Sequence, residues 1–97
     1  MDSLTSAQLV LDIAGNLARV SRFAIEKRPE MVEHFLSEII SCYEELQKRP
    51  VTERFTETNK ILGKILNQLK STTQDYNWAD LALTYSSILG HRAKLLD

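Results

Sequence analysis

Only two prolines occur in this 97-residue chain, Pro29 and Pro50, and each follows a Lys-Arg pair, in "EKRPEM" and again in "QKRPVT" 21 residues later. A proline ring holds φ at about −65° and has no N–H to give, so it breaks a helix interior yet suits a first helical turn. Lys and Arg just before it fit the carbonyl end of a preceding helix, where the macrodipole is negative. The triplets therefore read as punctuation between helices. The flanking segments share no further pattern, which argues against a true repeat.

The segments they separate carry helical periodicity. From about Thr5 to Lys27, Val10, Ile13, Leu17, Val20 and Ala24 recur at spacings of three and four, one stripe of a helix, with Ser3 or Ser6 as the expected cap. From about Pro29 to Lys48, Val32, Phe35, Leu36, Ile39, Ile40, Tyr43 and Leu46 share one half, and Glu30, Glu33, Ser37, Ser41, Glu44, Glu45 and Lys48 the other. A third helix is expected from about Thr52 to Ser71 on Phe55, Thr58, Leu62, Ile65 and Leu69, with Lys60, Lys64 and Asn67 opposite. After the polar run "STTQDYN", capped by Asn77 or Asp75, a fourth is expected from about Trp78 to Leu95, burying Trp78, Leu81, Ala82, Tyr85, Ile88 and Leu89.

Three glycines, two prolines and no alternating β-branched runs leave little material for a sheet. The expected fold is all-α: residues 1–97 as one domain, a small antiparallel bundle of about four helices. Three long helices with the fourth docked across them, or two hairpins completed by a second subunit, would satisfy the same pattern.

Twelve basic against thirteen acidic residues give a formal charge of −1, which does not invite a phosphate backbone. A lone Cys42, no signal-peptide pattern, no Asn-x-Ser/Thr sequon and no apolar run of about 20 residues point to a cytoplasmic protein without a membrane span.

The search for chemistry is short. His34 has Glu30 and Glu38 four residues to either side, but on the polar face and without the Glu-x-x-His spacing of metal-binding bundles, so an ion-pair row is the expectation. His91 stands alone near a helix end, and Cys42 sits at the edge of an apolar stripe, where cysteine acts as a small hydrophobe. Gly15, Gly63 and Gly90 are scattered singly and make no phosphate loop. Adjacent Glu44 and Glu45 diverge around the helix, too far apart for an acid/base pair. No catalytic residue, cofactor site or metal site is assigned, and no enzyme activity is expected.

What breaks the pattern is surplus hydrophobicity. Leu9, Asn16 and Phe23 recur every seven residues as a second stripe on helix 1, Leu83 lies opposite the buried face of helix 4, and Arg92 projects onto that apolar face. These five are the interface candidates. They point to a non-enzymatic interaction protein, an adaptor, regulator or assembly factor, pairing with itself as a homodimer or with another protein. The alternative is a nucleic-acid-associated helical regulator using Arg19, Arg22, Lys27 and Arg28, a reading that the charge balance disfavours.

Overall fold

The computed structural model describes residues 5–50, 52–71 and 75–96. Among them are four α-helices and no strand: α1 (Ser6–Ile25), α2 (Pro29–Gln47), α3 (Glu53–Ser71) and α4 (Tyr76–Ala93). The helices run up, down, up and down. Tyr43 meets Gly63 and Gln47 bonds Asn59 across α2 and α3, Leu69 meets Trp78 and Thr58 meets Arg92 across α3 and α4, and Ser21 and Ser86 tie α1 to α4 in opposite directions. The antiparallel bundle is the expected one.

The helix ends follow from local chemistry. Thr5, rather than Ser3 or Ser6, caps α1. Its hydroxyl accepts from the Gln8 N–H at 3.1 Å, and the Gln8 side chain accepts from the Thr5 N–H at 2.9 Å, a reciprocal capping box. Ser6 is the first helical residue, and Ser3 lies outside the described residues.

α1 closes in a Schellman motif. The Lys27 N–H reaches the Ala24 carbonyl at 3.1 Å and the Arg28 N–H reaches that of Phe23 at 2.9 Å. The motif needs a left-handed residue, and Lys27 supplies it with φ at 57° where glycine is usual. Pro29 then starts α2. Pro50 differs from expectation in one respect: it lies in the connection, outside both helices, and Thr52 caps α3 by accepting from the Phe55 N–H at 3.2 Å. Asp75 caps α4 by accepting from the Trp78 N–H at 2.9 Å.

Val10, Ile13, Leu17 and Val20 of α1, Val32, Ile39 and Leu46 of α2, Leu62 and Ile65 of α3, and Trp78 and Leu89 of α4 form the centre of one core. Buried polar groups are satisfied: Trp78 Nε1 donates to the Leu69 carbonyl at 3.1 Å, and Thr58, fully buried, accepts from Arg92 Nε at 2.9 Å. Phe35, Leu81 and Tyr85, expected in the core, are only half-buried, and Ile88 is exposed on the flank of α4 away from α1.

α1 is the hub. It packs closely on α2 and on α4, whereas α3 lies across the core from it. Its closest partner is α4, and the sequence explains why. Ala14 and Ser21 on α1 face Ala79, Ala82 and Ser86 on α4, so the two backbones approach until Ser21 Oγ donates to the Ala79 carbonyl at 2.7 Å and Ser86 Oγ to the Ala14 carbonyl at 2.6 Å.

Candidate interaction surface

Because α1 is covered on two sides, its apolar arc is wide, and this corrects the reading of helix 1. Leu9 and Phe23 belong to the intrachain core, 4% and 7% exposed, and Phe23 stacks in parallel on Phe35 of α2 at 5.8 Å between centroids. They form the α2-facing edge of one broad stripe, so their hydrophobicity is used inside the chain. Asn16 is half-buried on the same edge, its Oδ1 accepting from Arg19 Nη1 at 2.9 Å. Arg92 is likewise engaged internally, through Thr58. Of the five candidates only Leu83 stands out in solvent, 51% exposed.

Leu83 has company that the one-dimensional pattern hid. Leu11 and Ile25 on α1 and Tyr76 on α4 are also at least half-exposed large apolar residues. Helical periodicity places Leu11, Ala18 and Ile25, seven apart, on the flank of α1 next to α4. Tyr76, Leu83 and Gly90, also seven apart, lie on the flank of α4 next to α1. Ile25 and Tyr76 line the same shallow depression with Ala24, Lys27 and Asp75, which shows the two flanks meeting. The result is an apolar strip along the outer side of the α1/α4 seam. Gly90 leaves a notch in it: a Cβ there would meet nothing within 4 Å among the described residues.

The second surface feature is cationic. Arg22 and Arg28 lie 5.0 and 5.3 Å from the Phe23 ring centroid, and Arg19 lies 5.6 Å from that of Phe35. Arg28 over Phe23 takes the place of the hydrophobic contact that usually accompanies a Schellman motif. Exposed carboxylates stand beside two of these cations: Glu26 at 3.5 Å from Arg22 and Glu30 at 3.6 Å from Arg28.

The remaining polar residues do not converge. His34 is exposed and meets Phe35 edge-on, and His91 is exposed on α4. Among the described residues no group of three His, Cys, Asp or Glu side chains is placed to hold a metal ion. Cys42 is half-buried, and burial, then the Asp12 and Glu38 carboxylates, push its thiol above the ordinary range, so it is a poor nucleophile. No helix is long and apolar enough to cross a membrane among the described residues. No known family, curated protein or solved structure matches the chain.

Proposed function

We propose that the protein is a non-enzymatic interaction module that docks through the outer face of α1 and α4. The observation carrying this reading is the apolar strip of Leu11, Ile25, Tyr76 and Leu83, four of the five large apolar side chains left at least half in water among the described residues, the fifth being Leu95 beyond the end of α4. Scattered exposed leucines need no explanation, but large apolar side chains recurring along one seam, with the Arg22 and Asp80 positions between them, favour a partner. The reading sets the protein in the cytoplasm, where a lone thiol such as Cys42 stays reduced.

Site-specific photo-crosslinking in living cells tests it. A photoreactive side chain at position 83 should form discrete protein adducts, while one at position 64, on the exposed side of α3, should not. No adduct at position 83, or equal labelling at both, would overturn the proposal.

A second reading is favoured by one observation, the gathering of Arg19, Arg22 and Arg28 around Phe23 and Phe35 with Lys27 beside them. Such a corner offers guanidinium edges to phosphate oxygens, and a mobility shift of duplex that weakens steeply with salt would support it.

A further inference from the structure

We propose that the occupant of the α1/α4 face is a second copy of this chain, laid against it about a twofold axis parallel to the helices, so that each α1 runs along the partner's α4. This rests on the reading of that face as the docking surface and goes further by naming what covers it.

The internal register supplies the argument. The hydrogen bonds of Ser21 to Ala79 and Ser86 to Ala14 set those residues level with one another across the antiparallel seam. On the outer flank the same register brings Leu11 and Gly90, Ala18 and Leu83, and Ile25 and Tyr76 to within one residue of the same height, about 1.5 Å. Halfway between these rungs, Gly15 and Ser87, and Arg22 and Asp80, fall within two residues of the same height, about 3 Å. A twofold axis parallel to the helices preserves height and exchanges α1 for α4. Each rung of one copy therefore meets the same rung of the other with its two members swapped.

The swap is complementary at every rung. Leu11 enters the notch at Gly90, Leu83 covers Ala18, and Ile25 meets Tyr76. Gly15 against Ser87 allows the backbones to approach, as small residues do inside the α1/α4 seam itself. Arg22 meets Asp80, twice by symmetry. Asp80 is exposed and has no ion-pair partner among the described residues; Arg22, 71% exposed, rests 5.0 Å from the Phe23 ring and 3.5 Å from Glu26, surface contacts of little strength that its long side chain exchanges for Asp80 in the dimer. A perpendicular twofold axis through the Ala18/Leu83 rung does worse: it sets Arg22 over Gly15 and Asp80 over Ser87, leaving both charges unpaired in a desolvated contact.

Gly90 adds independent support. A mid-helix glycine weakens its helix, and among the described residues nothing requires this one, since a Cβ there would project into open space. A leucine arriving from outside gives it a role.

Helices of 20 and 18 residues, side by side, present a face roughly 30 by 20 Å, or about 600 Å² per subunit. That falls short of the about 800 Å² per partner of a standard interface, so micromolar affinity is expected.

Sedimentation equilibrium on the purified chain, from micromolar to hundreds of micromolar, tests the proposal. The expected result is a monomer–dimer equilibrium in which Arg22→Asp and Asp80→Arg each weaken association about tenfold or more. An equimolar mixture of the two variants should regain it, because the carboxylates at positions 22 and 80 of one chain then face guanidinium groups at positions 80 and 22 of the other. Misfolding of a variant cannot be rescued by mixing. A wild type that stays monomeric throughout, or a mixture that fails to re-associate, overturns the proposal. If the wild type is monomeric while position 83 still crosslinks to a different protein in cells, the second copy is ruled out and the docking face stands. If position 83 crosslinks to nothing, the face itself falls.

Discussion

The two sides of α4 are built on opposite principles. Toward α1 the contact is made by alanines and serines, the backbones are close, and hydroxyls bond directly to main-chain carbonyls. Toward α3 the contact is made by large side chains, the backbones stand further apart, and the polar ties run through long side chains, as in Arg92 to Thr58 and Tyr85 Oη to Gln68 Oε1 at 2.6 Å. Short side chains give a seam with little slack in either direction. Long side chains fill a wider space and leave cavities when shortened. The same helix thus has one edge sensitive to added volume and another sensitive to lost volume.

The contrast can be broken by substitution, and the largest effect is expected on the wide side. Leu62→Ala removes a fully buried side chain of α3 and should cost about 2–5 kcal/mol in urea unfolding; a cost under 1 kcal/mol would mean that α3 collapses to fill the gap. On the tight side the sensitive change is enlargement. Ala82→Leu should cost about 1–3 kcal/mol, since a fully buried position between close helices has no room for three more carbons. Full tolerance there would show the seam to be looser than its hydrogen bonds imply.

Smaller effects sharpen the picture. Gly63 faces Tyr43, whose hydroxyl would lie 3.6 Å from an added Cβ, an ordinary contact. Gly63→Ala should therefore gain up to about 1 kcal/mol from helix propensity, whereas enlargement at Ala82 is a loss. Lys27→Gly should stabilise by about 1 kcal/mol or less, because the left-handed position at the end of α1 carries a Cβ penalty only in the lysine form. A loss instead would show that the lysine side chain contributes something its backbone conformation does not reveal. Glu33→Ala and Lys64→Ala, both exposed, should stay within about 0.5 kcal/mol and calibrate the series.

Helix existence and phasing were legible because each stripe is long and regular and proline marks two of the joints. Cap identity was less so: Ser3, Thr5 and Ser6 are all plausible caps, and the residue that selects Thr5 is Gln8, three positions on, completing the capping box. The surface site was the hardest to see. Leu9 and Phe23 looked surplus because a helix contacted by one neighbour needs one narrow stripe, and nothing local says that α1 has two neighbours. The usable clue was the run of small residues Ala7, Ala14 and Ser21, seven apart, which predicts a close helix on that side. Leu11 is hidden in the sequence for the converse reason. Its helix neighbours Ala7, Ala14 and Gly15 are small and Gln8 is polar, so no stripe of large apolar residues runs through it, and it acquires meaning only when α4 brings the flank of Leu83 and Gly90 alongside, a juxtaposition set by tertiary register.

The tightest seam joins helices distant in the chain: its two serine-to-carbonyl bonds span 58 and 72 residues. A polypeptide emerging from the ribosome makes α1, α2 and α3 first, and until α4 has left the exit tunnel one long edge of α1 stays wet. The hairpin of α1 and α2 can form early because its ends are close, but bonds across so long a loop must wait for the chain to close on itself. For that interval Ala14, Ser21 and the core residues beside them are open to water and to chaperones, and the arrival of α4 takes them out of reach.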